Sequence, residues 1–225
     1  MKIFAHRGFS HKFPEGSRAA YEGAVNAGAD GFECDVRLIQ GGEIICFHDR
    51  TTRRLTGKTK LISRMTTKEI NEIYDAITLQ ELLEIAIKEK KDLLIETKHP
   101  VISGGKIEKR VIELLNEKSS EIKSARIEIT LMSFSYLAVM RMKRRYPNVA
   151  KVIKYTLAVL LSRQQQVAIN IEVLRKHPGL LNRTTASKIF LWTVNSQSDL
   201  RWLSNKSVDG VITDRVTRAR KIIGC

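Results

Sequence analysis

Two acidic residues and a histidine lie close together in residues 31–49. Glu33 and Asp35 are two positions apart, so both side chains point to the same face if this segment is a β-strand. The dipeptide Gly41-Gly42 is typical of a turn, because glycine takes positive φ without steric cost. A hairpin folded at this turn places His48 beside residue 34, within side-chain reach of both carboxylates. Such a group can bind a metal ion and transfer protons, chemistry that a purely structural hairpin does not need.

Two further apolar segments end in polar residues. Residues 2–5 are followed by His6 and Arg7, and the segment over residues 92–97 ends in Glu96 and Lys98. Glu96 and Lys98 are again two apart, so both should face one side. A plain neighbour pair at a solvated rim is the alternative interpretation.

The carboxylates of Glu33, Asp35 and Glu96 together would form an all-oxygen site, which suits Mg²⁺ or Ca²⁺. Zinc would more often take histidine or cysteine ligands. The histidines at His6 and His48 add acid/base groups to the same predicted set. The planar guanidinium of Arg7 is suited to phosphate oxygens. The combination indicates chemistry on a phosphate.

The elements that must position these residues alternate between strands and helices along the whole chain. We expect strands over residues 2–5, 31–36, 44–47, 92–97, 127–132, 149–155, 167–171, 188–194 and 208–213. We expect helices over residues 18–27, 66–73, 106–115, 136–145, 179–186, 198–204 and 217–223, with another helix capped by Thr78 and a polar loop over residues 51–61. This alternation predicts parallel β/α units, and the strand count favours a (β/α)₈ TIM barrel with a β-hairpin after the second strand. Polar residues at strand ends would then meet at the carboxyl end of the barrel, where such barrels carry their chemistry.

Chain length and net charge indicate the number of domains and the kind of binding partner. The 225 residues suit a single domain spanning residues 1–225, and a formal net charge of +15 favours anionic partners. A weak contact with an anionic membrane surface fits this charge. No long polybasic run or aromatic-interleaved basic strand is present, so we expect no dedicated nucleic-acid binding. The sequence carries no indication of an oligomeric state.

Cysteine usage and hydropathy indicate a soluble, cytoplasmic protein. Cys34, Cys46 and Cys225 are an odd three without metal-ligand or disulfide-framework spacing, which suits a reducing compartment. We expect Cys34 and Cys46 to be buried thiols on neighbouring arms of the hairpin. The first residues do not form a secretory signal. The longest apolar stretch, residues 155–161, is too short to span a bilayer.

A set of motifs spread along the chain resembles the glycerophosphodiester phosphodiesterase family. The residues that carry the resemblance are, in order, His6-Arg7-Gly8, Pro14-Glu15, Gly31-x-Glu33-x-Asp35-Val36, His48-Asp49, Arg54-Leu55-Thr56, Glu96-x-Lys98, Ser133-Phe134, Trp192-Thr193-Val194-Asn195 and the run Val208-Asp209-Gly210-Val211-Ile212-Thr213-Asp214. The motifs occur in the right order and cover the chain, so as a set they are highly specific.

The resemblance implies a (β/α)₈ barrel that hydrolyses a small-molecule phosphodiester to an alcohol and sn-glycerol 3-phosphate. By the matching positions, the divalent-metal ligands would be Glu33, Asp35 and Glu96, and the general acid/base pair His6 and His48. The residues that would bind substrate are Arg7 and Lys98 at the phosphate and Trp192 beside the glycerol moiety.

Three places depart from the family pattern: the first loop, the segment after the His48-Asp49 motif and position 215. Gly16-Ser17 stands where the family usually has Asn-Thr, which removes a polar side chain from the loop beside the expected metal and substrate site. The segment after the His48-Asp49 motif is also short, which predicts a more open pocket. Arg215 replaces the usual proline after Asp214, a change to which we attach no function.

Two other functions remain open on the sequence alone. A phospholipase D-like activity on lysophospholipids uses a similar histidine pair and acidic metal site, and the positive charge would suit a lipid surface. A non-catalytic barrel that binds phosphate-bearing ligands is the second alternative. The sequence does not choose between water and a glycerol hydroxyl as the nucleophile.

Overall fold

The computed structural model describes residues 1–101 and 104–224. Its strands are β1 (Lys2–His6), β2 (Gly31–Leu38), β3 (Ile44–Cys46), β4 (Asp92–Thr97), β5 (Ile129–Ser133), β6 (Val149–Ile153), β7 (Gln166–Asn170), β8 (Lys188–Trp192) and β9 (Gly210–Thr213). Its α-helices are α1 (Arg18–Asn26), α2 (Arg53–Thr56), α3 (Thr67–Asn71), α4 (Leu79–Lys88), α5 (Lys106–Glu117), α6 (Ser119–Ala125), α7 (Tyr136–Lys143), α8 (Thr156–Leu160), α9 (Ile171–Lys176), α10 (Gln197–Leu203) and α11 (Val216–Ile223). Short 3₁₀ turns cover Gln40–Gly42, Ile62–Arg64 and Pro178–Asn182.

Eight parallel strands close into a barrel. The neighbours run β1, β2, β4, β5, β6, β7, β8, β9, and β9 pairs again with β1. The remaining strand, β3, is antiparallel to β2, with Val36 opposite Cys46 and Leu38 opposite Ile44. The predicted (β/α)₈ barrel with a hairpin after the second strand is confirmed.

Apolar side chains fill both faces of the barrel wall. Phe32, Cys34 and Val36 point outward into the main core between strands and helices. Phe4 and Phe190 point inward and pack edge to face with ring centroids 5.6 Å apart. The alternation along β2 leaves Glu33 and Asp35 on the inward face, as the spacing predicts.

Polar side chains cap several helices, among them the helix that Thr78 was expected to cap. Ser17 caps α1, with its side-chain oxygen accepting a hydrogen bond from the Ala20 amide at 3.1 Å. Thr66 and Thr78 each form a capping box with the glutamate three residues later. These caps satisfy amides that would otherwise lack a partner at the start of a helix.

The helix predicted over residues 179–186 is wrong. The chain instead forms α9, capped by Asn170, and then a 3₁₀ turn that begins at Pro178. Pro178 cannot continue α9 because it lacks the amide that the helix needs, so the helix ends before it. The loop expected over residues 51–61 contains the short helix α2, and α6 and α8 were not predicted.

Cys34 and Cys46 are buried free thiols. Cys225 lies outside the described residues. None of the helices in residues 1–101 and 104–224 combines the length and the apolar character needed to cross a membrane.

Candidate active site

One cavity at the carboxyl end of the barrel is lined by every side chain predicted for the site. It encloses about 610 Å³ of empty space, including its open mouth. The eight predicted residues on its wall are His6, Arg7, Glu33, Asp35, His48, Glu96, Lys98 and Trp192. They come from the ends of five different strands, or from the residues just after them, and the barrel closure brings those ends together.

Three carboxylates converge at the base of this cavity. One oxygen from each of Glu33, Asp35 and Glu96 lies within 4.8 Å of the other two, and all three side chains are buried. Register explains the cluster, because Asp35 is directly opposite Glu96 where β2 and β4 pair. Asp35 Oδ2 is buried, and Arg7 Nε lies 2.7 Å from it in a geometry that does not form a hydrogen bond. This carboxylate oxygen is therefore available to a cation. These residues therefore fit a hard divalent metal ion.

Two cationic side chains touch the carboxylates. Lys98 Nζ lies 2.8 Å from Asp35 Oδ1 and 2.6 Å from Glu96 Oε1, so its ammonium bridges the two. Arg7 lies beside Asp35 and also donates from Nη1 to Glu15 Oε1 at 3.1 Å. Four buried charged groups and the half-buried Arg7 are tolerated together here because opposite charges alternate in space.

The carboxyl groups differ in their affinity for protons. Burial raises the pKa of Glu33 well above its usual range, and the neighbouring carboxylates raise it further. Burial and the Asp35 carboxylate likewise raise the pKa of Glu96 to about 7. Burial also acts to raise the pKa of Asp35, but Lys98 and Arg7 outweigh it and hold that pKa below its ordinary value. The cluster therefore takes up protons unless a further positive charge is bound, and metal binding would release them.

His6 is oriented by an aspartate that directly follows the last strand. Its Nδ1 lies 2.6 Å from Asp214 Oδ1, and Asp214 also accepts hydrogen bonds from Ser10 and Asn195. Burial alone would raise the pKa of Asp214, but the bonds from His6 and Asn195 lower it to about 2. An ionised Asp214 makes Nδ1 the donor, which leaves Nε2 facing the cavity, 3.9 Å from Glu33 Oε2.

His48, just after β3, has an equivalent arrangement. Its Nδ1 lies 2.8 Å from Asp49 Oδ1, and its carbonyl oxygen accepts two hydrogen bonds from Arg37. Burial lowers the pKa of His48, which favours the neutral imidazole near pH 7. The two histidines thus reach the cavity with their Nε2 atoms, each with Nδ1 held by an aspartate.

The backbone of the first loop is held in an uncommon conformation. Arg7 has φ of 56°, in the left-handed region that side chains other than glycine rarely adopt. Its amide donates to the Glu33 backbone carbonyl at 2.9 Å, and its carbonyl accepts from the Gly16 amide at 2.9 Å. These bonds fix the direction in which the Arg7 side chain leaves β1, toward Asp35.

The rest of the cavity wall is largely apolar. Trp192 donates from Nε1 to the Ala168 carbonyl at 3.0 Å, and its ring packs edge to face with Phe134 at 5.4 Å. Phe134 also lies beside the Lys98 ammonium, 5.9 Å from ring centroid to Nζ. Lys154 is the exposed cation on this side. This apolar wall can contact the carbon skeleton of a bound molecule, while the charged group of that molecule contacts the opposite wall.

Sequence reasoning assigned no role to two residues that the structure connects to the site. Asp214 and Asp49 both lie within the recognised motifs, but their contacts with His6 and His48 depend on the tertiary structure. The sequence distance of 208 residues between His6 and Asp214 explains why spacing could not reveal the first pair. Adjacency of His48 and Asp49 was the available signal for the second.

Comparison with known proteins places this geometry in a family. The family model described as "Glycerophosphoryl diester phosphodiesterase family" matches residues 6–218. The chain belongs to this family. The predicted enzyme class, a glycerophosphodiester phosphodiesterase, is confirmed by this match and by the curated relatives.

Individual relatives cover nearly the whole chain. The Mycobacterium tuberculosis protein named "Probable glycerophosphodiester phosphodiesterase 1" is 29% identical, over 97% of this chain and 90% of its own length. The crystal structure of a glycerophosphodiester phosphodiesterase from Thermotoga maritima has a TM-score of 0.80 at 25% identity, covering 98% of this chain and 97% of that one. An Oleispira antarctica phosphodiesterase, solved with the product sn-glycerol-3-phosphate, shares the fold with a TM-score of 0.78 at 21% identity, covering 100% and 97% of the two chains.

Proposed function

We propose that this member of the family uses a divalent cation, Mg²⁺ or Ca²⁺, to hydrolyse glycerophosphodiesters to an alcohol and sn-glycerol 3-phosphate. The observation that carries the proposal is the convergence of three carboxylates and two aspartate-held histidines on one cavity. Glu33, Asp35 and Glu96 are the proposed metal ligands. A cation bound there would supply positive charge to a phosphate oxygen and lower the pKa of a nearby hydroxyl.

The protein's own groups supply the remaining chemistry. Arg7 and Lys98 lie on the carboxylate side, where their positive charge can bind and orient the phosphodiester. His6 and His48 each direct a free imidazole nitrogen to the cavity, so one can accept the proton of the nucleophile and the other can protonate the leaving alcohol. The ring of Trp192 provides an apolar surface for the glycerol carbons.

Two further proposals concern the domain organisation and the location of the protein. We propose that residues 1–225 form one domain, which is supported by a barrel whose strands run from residue 2 to residue 213. We also propose a cytoplasmic location, supported by the odd number of cysteines and the two buried free thiols.

The test measures release of sn-glycerol 3-phosphate from glycerophosphocholine. Chelation with EDTA should abolish turnover, and Mg²⁺ or Ca²⁺ should restore it. His6→Ala and His48→Ala should each lower the rate by roughly 10²–10⁴-fold, the usual size of general acid/base catalysis. Lys88→Ala, an exposed change on α4 at the opposite end of the barrel, serves as the control and should keep full activity. Unchanged turnover after chelation, or in both histidine variants, would overturn the site assignment.

A lysophospholipase D-like activity is the second candidate. Phe134 is 42% exposed although it lines the cavity, so the apolar wall extends to the protein surface where an acyl chain could leave. Comparing lysophosphatidylcholine with glycerophosphocholine at equal concentration separates the two activities. Binding of both phosphodiesters without hydrolysis of either would instead indicate a non-catalytic barrel.

A further inference from the structure

Large hydrophobic side chains are exposed on one limited part of the surface. Of the nine exposed large hydrophobic residues in the described parts of the chain, eight fall between residues 134 and 161. The six most exposed, which we call the apolar rim, are Tyr136, Leu137, Tyr155, Leu157, Leu160 and Leu161. Single exposed hydrophobic residues are ordinary, but a concentration of them marks an interaction surface.

The apolar rim is continuous with the mouth of the catalytic cavity. β5 and β6 are neighbours in the barrel, and α7 and α8 begin directly after them, at the carboxyl end of the strands. Phe134 joins the two regions, because it lines the cavity and precedes Tyr136 and Leu137 by only two and three residues. A surface that covered the rim would therefore also face the active site.

Helix α8 contributes little to the core. Val159 is its only buried residue, whereas Leu157 is 64% exposed and Leu160 is 48% exposed. The residues on either side, Tyr155 and Leu161, are 71% and 69% exposed. A surface helix normally turns its polar side to water. An exposed apolar side therefore indicates that the helix binds an apolar partner.

Basic residues lie at the same end of the barrel. Residues 50–68, which directly follow the active-site motif His48-Asp49, contain seven Lys or Arg and no Asp or Glu. Arg50, Arg53, Lys58 and Lys60 are exposed. The combination of exposed cations with exposed leucine and tyrosine is characteristic of proteins that lie on anionic bilayers.

Charge also argues against the other partners. A second copy of the chain would bring one net charge of +15 against another, which opposes association through this end. Nucleic acid would use the cations but offers no apolar phase for the leucines. An anionic lipid surface offers both a negative charge and an apolar interior.

We propose that the carboxyl end of the barrel docks on an anionic lipid surface, with the apolar rim inserted below the head groups and residues 50–68 above them. The cavity then opens toward the lipid. This proposal goes beyond the proposed hydrolysis, because binding to a lipid surface requires no turnover of substrate.

Vesicle sedimentation tests the docking surface directly. The full-length protein is mixed with phosphatidylcholine vesicles, with and without phosphatidylglycerol, and the bound fraction is measured. We expect binding to the anionic vesicles that weakens as salt rises from about 0.1 M to 1 M, since the Debye length falls from about 10 Å to about 3 Å. A triple variant carrying Leu137→Ser, Leu157→Ser and Leu161→Ser should bind at least about tenfold more weakly, because each leucine loses apolar area to bury.

The control carries Lys88→Ser and Lys206→Ser, which remove two exposed cations at the opposite end of the barrel. If vesicle binding depends on the docking face and not on net charge alone, this variant should bind vesicles as strongly as the wild type. Circular dichroism and hydrolysis of soluble glycerophosphocholine check that the leucine variant is folded, since none of its three positions lines the cavity.

Three outcomes would overturn the proposal. The first is wild-type protein that stays in the supernatant with both vesicle types. The second is a folded leucine variant that binds as the wild type does. The third is a wild-type dimer in sedimentation velocity that the leucine substitutions dissociate while vesicles remain unbound, which would assign the rim to self-association. Loss of turnover with intact vesicle binding would contradict the proposed function alone.

Discussion

The two sides of the catalytic cavity are built differently. The side formed by β1 to β4 carries the charged residues His6, Arg7, Glu33, Asp35, His48, Glu96 and Lys98. The side formed by β5 to β9 carries Met132, Phe134, Ala168, Trp192 and Ile212, together with the exposed cation Lys154. The first side is the one that we propose binds a metal ion and a phosphate and transfers protons. The second offers mainly apolar surface to the rest of the substrate.

This difference suggests that the two sides control different kinetic quantities. Charged groups that act in the transition state should govern kcat, and apolar contacts that are similar in ground and transition states should govern KM. Changes on the charged side should therefore be large and changes on the apolar side moderate. The predictions below follow that order.

The largest effect is expected from Glu33→Gln, which removes one carboxylate charge with little change in shape. We expect divalent-cation affinity to fall and kcat/KM to drop by about 10³-fold or more, since a catalytic metal supplies several kcal/mol to the transition state. Isothermal titration calorimetry with Mg²⁺ or Ca²⁺ and steady-state kinetics measure the two quantities.

Glu128→Gln is the matched control, because Glu128 pairs with Lys188 at the other end of the barrel. That variant should bind the cation normally. Normal cation binding by Glu33→Gln would remove Glu33 from the ligand set and weaken the division between the two sides.

Asp214→Asn should have the second-largest effect. Asp214, in the loop after β9, contacts the charged side through His6 Nδ1. An amide can present its oxygen or its nitrogen to the imidazole, so the tautomer is no longer fixed. We expect kcat to fall by roughly 10–100-fold with little change in KM, less than the loss in His6→Ala.

Asp214→Asn should also change how the stability of the protein depends on pH in acid. The pKa of Asp214 is lowered to about 2 in the folded protein, against roughly 3.9 in an unfolded chain. Its stabilising contribution is therefore complete above about pH 4 and is lost as pH falls toward 2. Urea unfolding over this range should show a smaller loss of stability in Asp214→Asn than in the wild type. Identical pH dependence in the two proteins would contradict the ion pair.

The sequence predicted the charged side well and the apolar side poorly. Glu33, Asp35 and Glu96 could be found because alternation along a strand and the parallel register place them on one face. Trp192 came from family resemblance alone, and Phe134 was quoted only within a motif. An apolar side chain that lines a cavity has the same residue type and periodicity as one in the core, so its position becomes clear only in the closed barrel.

The same reasoning explains the errors in secondary structure. α8 was not predicted because it spans only five residues, too few for a helical repeat to stand out within the apolar stretch over residues 155–161. The helix expected over residues 179–186 lies on the wrong side of Pro178, which ends α9 because proline lacks the amide that the helix would need. Both segments belong to the second half of the chain, where strand ends carry few charged residues.

Trp192→Ala tests the apolar side. The substitution removes the ring that contacts Phe134 and leaves the charged groups in place. We expect KM to rise by about tenfold while kcat changes severalfold at most, because the lost contact is mainly ground-state binding. Trp192→Phe, which keeps a ring, should recover most of the affinity. A fall in kcat comparable with that of Asp214→Asn would show that the two sides are not separable.

The smallest effect on activity is expected at Gly16, where this chain departs from the family pattern. Gly16 has φ of 70°, and a Cβ there would lie 2.8 Å from the Cys46 carbonyl oxygen. Gly16→Ala should therefore lower the free energy of unfolding by about 1–2 kcal/mol from the left-handed backbone, and by more from the clash. Gly16→Asn should cost somewhat less than Gly16→Ala, since asparagine tolerates this backbone region better.

Gly41 separates the two contributions to that loss. Its φ is 85°, and a Cβ added there would meet nothing within 4 Å. Gly41→Ala therefore reports the backbone cost alone, and the excess in Gly16→Ala, measured by urea unfolding, reports the contact with Cys46. If both variants lose the same stability, the loop adapts to a side chain at position 16. The Arg7 carbonyl accepts its hydrogen bond from the Gly16 amide, which every variant keeps, so we expect kcat to change by no more than severalfold. The charged side then requires the backbone amide of position 16 and not a side chain there.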